Sequence, residues 1–390
     1  MRVLCAASGE VGHMDFGGGG FVALARSLAE RGAALKWLSF GEQVARLKKA
    51  GFDAERSAGL QQLALRPFSP ADASAPPSGA RLAGLQSALD DCRAWAPDVV
   101  LFDRLLAFGG LIAAELQRPF VTIGAPGGPW RFEEITKPQK GVNVRPETAP
   151  IETYQAYGER VRHALSWRDS DHAVSGWLCS PYLNVHFLPH DFYGDVTAET
   201  CASVYHREPK DTASTVERAS LGVSFGNQGG ADALKRFLEI VIDKALAPTP
   251  IQVFAGRRDD IAKALRAAYS SDQATVHGWV DFGEHFPRLH TLAFLGGVGA
   301  IWRCIEQRVA MLVVPGLIGD QLYNGKRIEA LGLGACLSPE TLTDQSVASA
   351  LETCARAATV QSRLHEVAEA DRYTDTLISV CARIEALAHR

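Results

Sequence analysis

The apolar positions along the chain change period in a regular way. MRVLCAAS opens as a short buried strand, and EVGHMDFGGGG follows as a glycine-rich loop. FVALARSLAERG has the spacing of an amphipathic helix with a glycine stop, and AALKWLSF returns to a strand. This is a β-α-β unit, and such units build parallel sheets. LDDCRAWAPDVVLFD adds a helix and a strand ending at Asp103, GGLIAAELQ a helix, and PFVTIGA a strand. A second alternating half begins at SLGVSFGNQGG. Its strands are SLGVSFG, PIQVFAG, ATVHGWV, HTLAFLGG, AMLVVPG and GACLS, with helices ALKRFLEIVIDKAL, DDIAKALRAAYSS, IWRCIEQRV and QLYNGKRIEALGL between them. SVASALETCARAAT and the closing segment from SRLHEVAEA onward are helical.

Three stretches break the rhythm. Residues 66–80 form a Pro/Ala/Ser-rich loop, and 206–219 (HREPKDTASTVERA) are polar and fit a linker. Residues 125–200 are rich in Pro, Trp, Tyr and His. They fit either a packed helical excursion with aromatic anchors or the wall of a small-molecule pocket. The pattern therefore predicts an α/β protein with two doubly wound, Rossmann-like domains in tandem.

Length and charge narrow the function classes. The 390 residues exceed what one core organises. A net charge of −4 without a basic stripe speaks against a general grip on nucleic acid. The longest apolar runs are too short or too glycine-broken to span a bilayer, and the N-terminus lacks a signal-peptide layout. The eight cysteines include no CxxC pair, which argues for structural thiols in a reduced cytoplasm rather than a zinc site.

Several residues at strand ends are candidates for chemistry, each with a plainer alternative. His13 lies in the first strand-to-helix loop, where its ordinary pKa of about 6.5 suits general-base work; it could equally cap the next helix. The glycines at 17–20 are costly in entropy and suit a close approach to a ligand or another backbone, but they are not a GxGxxG fingerprint. Asp103 could orient a histidine, or cap a helix. SFGNQGG and GGVGA are turns whose backbone N–H groups can hold phosphate, though neither is a P-loop. Asp320 and Gln321 form a carboxylate–amide pair suited to sugar hydroxyls, or an N-cap.

Taken together, VHGWVDFGEHFPRLHTLAFLGGVGAIWRCIEQRVAMLVVPGLIGDQLYNGKRIEALGLG resembles the C-terminal signature of the family 1, UDP-glycosyltransferase-like enzymes of GT-B fold. That signature runs W–x–P/D, HGGxGT, a helix with a glutamate, GVP, then D-Q ahead of a helix. The G-H loop and following helix of the N-terminal half agree, and SFGNQGG resembles the turn that opens the second domain. The resemblance covers most of the chain and is weakest over 53–95 and 125–215.

The resemblance implies two Rossmann-like domains facing a central cleft and an inverting, metal-independent transfer from a nucleotide sugar. His13 matches the catalytic base and Asp103 the aspartate that orients it. Trp279 matches the residue stacking on the donor base. Ser224, Gly226, Asn227, Gly296, Gly297 and Gly299 match donor-phosphate turns, and Asp320 and Gln321 the pair on the sugar hydroxyls. Departures stand at Leu295 for histidine, Ala300 for serine or threonine, Arg303 for the ribose-binding glutamate, and RVA (308–310) for GVP. Arg303 could meet a phosphate through its planar fork, or point to solvent in a degraded site.

The expectation is thus a cytoplasmic hexosyltransferase-like enzyme using a UDP- or TDP-linked sugar and no other cofactor. Its acceptor would be a small molecule such as a natural product, without nucleic acid or membrane span; a homodimer is a candidate assembly. Residues 1–205 would bind acceptor, with Trp130, Trp167, Trp177 and Tyr182 lining the pocket. Residues 220–371 would bind donor, and the helix at 372–390 would pack back on the first domain. The alternatives are a catalytically silent relative that binds a nucleotide sugar or supports a partner enzyme, and a GT-B enzyme of different chemistry.

Overall fold

The computed structural model describes residues 1–8, 20–63, 75–104, 106, 109–124, 151–167, 180–189, 192–193, 199–204, 220–226, 231–248, 250–316, 319–355, 357–370 and 377–389. These residues form two compact units: the first holds those up to 204 together with 377–389, and the second holds 220–370. The linker expected at 206–219 lies outside the described residues.

The first unit is built on β1 (Arg2–Ala6), β2 (Ala34–Ser39), β3 (Ala54–Arg56), β4 (Val99–Asp103), β5 (Phe120–Ile123), β6 (Leu183–His186) and β7 (Cys201–Ser203). They form one sheet in the order β3-β2-β1-β4-β5-β6-β7, with every pairing parallel. β1 shows why an unbroken apolar run makes such a strand. Val3, Cys5 and Ala7 pack into one core with Phe21, Leu24 and Leu28 of the helix Gly20–Glu30, while Leu4 and Ala6 pack into another with Leu85, Leu89 and Phe102. A strand covered on both faces needs apolar residues at every position rather than at alternate ones.

The irregular stretch 125–200 holds a strand that its composition did not announce. β6 and, just beyond the stretch, β7 extend the sheet past β5. LNVH alternates Leu183 and Val185, which face the first core, with Asn184 and His186, which are buried but polar. Asn184 is satisfied by the Ser180 and Thr200 carbonyls, and His186 Nδ1 lies 3.1 Å from the Leu188 carbonyl oxygen. Local polar partners thus replace the apolar run that would have marked a buried strand.

The closing helix Leu377–Ala388 belongs to the first unit. Val380, Cys381, Ile384 and Leu387 recur along one face and are buried against the helix Gly20–Glu30 and the sheet. Arg31 holds Glu385 through two bonds of 2.7 and 2.6 Å, and Arg383 donates to the carbonyls of Cys201 and Glu199 beside β7.

The second unit repeats the plan. β8 (Ser220–Ser224), β9 (Ile251–Phe254), β10 (Ala274–His277), β11 (Leu289–Phe294), β12 (Ala310–Val313) and β13 (Gly334–Cys336) form a parallel sheet ordered β10-β9-β8-β11-β12-β13. Each of the six strands overlaps a segment read from the sequence pattern. No helix among the described residues is long and apolar enough to cross a membrane.

Seven described cysteines form no disulfide, and all but Cys336 are buried. Burial pushes the thiols of Cys92, Cys336 and Cys354 up to about 12, which disfavours the reactive thiolate.

Candidate functional site

In both sheets the strand order reverses at one place: between β1 and β4 in the first, and between β8 and β11 in the second. Open α/β sheets bind ligands beyond the carboxyl ends of their strands at such reversals. Asp103 ends β4 at the reversal of the first sheet, and Ser224, Gly226 and the turn at Gly296 and Gly297 lie at that of the second.

In the first unit, Asp103 is the last residue of β4 and is fully buried. Ser8, two residues beyond β1 and 1 % exposed, donates its hydroxyl to Asp103 Oδ2 at 2.6 Å. That length suits a hydroxyl–carboxylate bond. The residue before Ser8 is clamped by β2: Ala7 N–H donates to the Leu38 carbonyl, and Ser39 Oγ donates to the Ala7 carbonyl at 2.9 Å. Sequence reasoning missed Ser8. The only available signal was a polar residue ending an apolar strand two positions before the loop. His13 and the glycines at 17–19 lie outside the described residues.

Trp167 and Tyr182 sit in packed surroundings. Trp167 is 7 % exposed, joins a core with Tyr157 and Leu89, and its indole donates to Gln86 at 3.4 Å. Tyr182 meets the Phe120 ring edge-on with centroids 6.0 Å apart. Trp130 and Trp177 lie outside the described residues.

In the second unit, β8 ends at the buried Ser224 and turns at Gly226, whose φ is +60°. Asn227 lies outside the described residues. On the neighbouring strand, β11 runs through Leu295, only 5 % exposed, into Gly296 and Gly297 and then the helix Val298–Gln307. Gly296 has φ +95°, and a Cβ there would stand 2.7 Å from the Gln321 carbonyl oxygen. The turn therefore needs glycine for its own backbone. Gly297 and Gly299 differ: neither has positive φ, and a Cβ on either would meet nothing within 4 Å. No side chain caps the helix that starts at Val298.

The helix beginning at Gly319 closes over this turn. Asn324, 2 % exposed, donates to the Gly296 carbonyl at 2.9 Å. Gln321, 5 % exposed, accepts the Gly316 N–H on its Oε1 at 2.8 Å. Its carbonyl end is thereby committed to the loop after β12. For Asp320 the backbone alone is described.

Arg303 lies along its own helix. Its Nη1 meets Glu306 Oε2 at 2.8 Å, and its guanidinium stands 4.1 Å from the centre of the Trp302 ring. With 21 % of its side chain exposed, it does not reach out into solvent.

Trp279 follows β10 and is 64 % exposed. At the end of β10 a ring cluster forms: His277 stacks on Phe254 with centroids 5.4 Å apart, and His285 lies 4.7 Å from His277. His277 Nε2 lies 2.9 Å from Gln252 Oε1. Burial, then the nearby His285 and Arg266, hold the His277 pKa below its ordinary value.

No protein-family model and no curated protein matches the sequence. Solved structures match it over nearly its whole length. The calicheamicin glycosyltransferase CalG4 is 20 % identical with a TM-score of 0.72, covering 100 % of this chain and 98 % of its own. The glycosyltransferase VinC in complex with dTDP is 17 % identical at 0.66, covering 100 % of both chains. SsfS6 of Streptomyces sp. SF2575, complexed with thymidine diphosphate, is 16 % identical at 0.62 and covers 99 % of both. With its two parallel, doubly wound sheets and this whole-length likeness, the chain has the GT-B fold.

Proposed function

We propose that the protein is a glycosyltransferase that moves a sugar from a nucleoside-diphosphate donor to a hydroxyl of a small molecule. The observation that carries this reading is the turn Gly296–Gly299. It sits at the strand-order reversal of the second sheet, leads into an uncapped helix N-terminus, and keeps two glycines that its own packing does not require. Backbone N–H groups and the helix dipole at such a turn favour an anion, and missing side chains let a diphosphate approach the backbone. Leu295 and Ala300 bring no polar group, and Arg303 is engaged by Glu306. Phosphate binding in this reading therefore rests on main-chain donors, with Arg303 in a supporting place.

The exposed Trp279 offers a face for the nucleotide base, and Ser224, Gly226 and Asn227 are assigned to the diphosphate. Asp320 and Gln321 are assigned to the sugar hydroxyls. Thymidine diphosphate is the favoured donor nucleotide, because two of the similar structures hold it. Natural products are the favoured acceptors, since a similar structure is a calicheamicin glycosyltransferase.

In the reaction, His13 takes the proton of the acceptor hydroxyl, and the oxygen forms a bond to the anomeric carbon from the face opposite the diphosphate. The bond from that carbon to the diphosphate oxygen breaks, the electron pair leaves with the nucleoside diphosphate, and the anomeric configuration inverts. Asp103 is assigned to orient the His13 ring and to stabilise the imidazolium that forms.

The test begins with thermal shift against thymidine, uridine and guanosine diphosphates. A ligand of the folded state stabilises by about 2.7 kcal/mol at one hundred times its Kd. The expected result is a shift with thymidine diphosphate, followed by nucleotide release from its sugar conjugates when an acceptor is present. A chain that shifts with none of the three loses the donor assignment. Transfer that survives His13→Ala unchanged removes that residue from the mechanism.

A further inference from the structure

The backbone around Asp103 is fixed without its side chain: β4 pairs with β1 and β5, and the Asp103 carbonyl accepts the Leu106 N–H. What the strand does not fix is the plane of the carboxylate, because the terminal torsion of aspartate is broad. Ser8 supplies that constraint. Its one O–H is directed at Oδ2 at 2.6 Å, both side chains are shut off from water, and Ser8 itself follows a residue clamped by Leu38 and Ser39. Ser8, following a residue that β2 clamps, thus binds one oxygen of the carboxylate that ends β4.

We propose that Ser8 is a positioning residue for the transfer reaction: by holding Asp103 Oδ2 it sets the direction from which the carboxylate receives its partner. The inference rests on the proposed glycosyl transfer. Deleting the hydroxyl removes the hold on Oδ2, and misplacement on the order of 1 Å near a reacting centre costs about 100-fold in rate. The effect falls on kcat, because Ser8 belongs to the first unit and donor binding is assigned to the second.

The test compares Ser8→Ala, Ser8→Thr and Ser8→Cys with the parent, following thymidine diphosphate release from its glucose conjugate against a panel of phenolic acceptors. Ser8→Ala is expected to lower kcat about 10- to 100-fold with the donor KM within about twofold. Ser8→Thr, which restores the hydroxyl, recovers most of the rate, and Ser8→Cys, with its weaker donor, falls between. In an Asp103→Asn background, Ser8→Ala adds little, since residues acting through one another are not additive.

A parent chain that releases no thymidine diphosphate with any acceptor overturns the proposed function, and this inference with it. Parent activity together with an unchanged kcat in Ser8→Ala overturns the inference alone. So does an equal loss in both backgrounds, which would mean that Ser8 serves the fold and not Asp103. If Ser8→Ala does not fold, the ranking of Ser8→Thr and Ser8→Cys decides: equal kcat in those two overturns the proposal.

Discussion

Arg303 Nη1 and Glu306 Oε2 lie 2.8 Å apart, one helical turn from each other, and the Glu306 side chain is only 8 % exposed. From the sequence, Arg303 could meet a phosphate or point to solvent; in the fold it pairs with a carboxylate of its own helix. Removing the arginine leaves that carboxylate without this partner away from water, a cost of about 1–3 kcal/mol. Arg303→Ala is therefore expected to lower unfolding stability by that amount. The double variant Arg303→Ala/Glu306→Ala should lose less, which urea denaturation of the two can decide. A double variant less stable than Arg303→Ala would contradict the pairing.

The three glycines of the same turn make different demands. Gly296→Ala places a methyl 2.7 Å from the Gln321 carbonyl oxygen at φ +95°. Positive φ alone costs an ordinary residue about 1–2 kcal/mol, and the clash adds to it. Gly297→Ala and Gly299→Ala face open space, so their melting temperatures should stay near the parent's. If that space belongs to a diphosphate, the thermal shift with thymidine diphosphate should at least halve in both. An undiminished shift in both would move the phosphate site elsewhere.

Most strands of the second unit were legible as short, largely apolar runs closed by glycine or proline. AMLV is the clearest example, buried at every position as a parallel sheet covered on both faces requires. β6 was not legible, because Asn184 and His186 interrupt it; Asn184 donates to the Ser180 carbonyl and His186 Nδ1 lies beside that of Leu188 in place of an apolar layer. The positions of Asp103, Gly296 and Gln321 at sheet edges followed from the alternation of strands and helices. Their partners did not: Ser8 reaches Asp103 across 95 residues, and Asn324 reaches Gly296 across 28. The direction of Arg303 depended on a helical neighbour three residues on, a spacing visible in the sequence but set there beside several competing partners.

Stability should also fall on mild acidification. Burial holds His290 below its ordinary pKa, and its Nδ1 has no hydrogen-bond partner among the described residues; His277 is lowered by burial, His285 and Arg266. Above about pH 6.5 such histidines are neutral in both folded and unfolded chains and contribute no pH dependence. As pH drops through that value the unfolded chain binds the proton first, so unfolding becomes easier until the folded histidines also charge. Urea midpoints at pH 7.5 and 5.5 keep most carboxylates ionised and isolate this effect. The parent should be less stable at pH 5.5, and His277→Gln with His290→Gln should flatten the difference. An unaltered slope in the double variant would assign the pH dependence to other groups.

The closing helix makes the sharpest demand on the first unit. Val380, Cys381, Ile384 and Leu387 are buried against Phe21, Leu24 and Leu28, and Arg383 ties the helix to the carbonyls beside β7. Burying a side chain of this kind contributes about 1.5–3 kcal/mol. Loss of four approaches the whole stability of a domain, about 5–15 kcal/mol. Ending the chain before residue 377 should therefore unfold the first unit near room temperature, while calorimetry still records a cooperative transition from the second, whose core shares none of these residues. Arg31→Ala should have a far smaller effect, because its pair with Glu385 is in contact with water and an exposed pair adds little. If the truncated chain keeps both transitions at parental temperatures, the helix is an appendage to the first unit and its buried face does not hold that unit together.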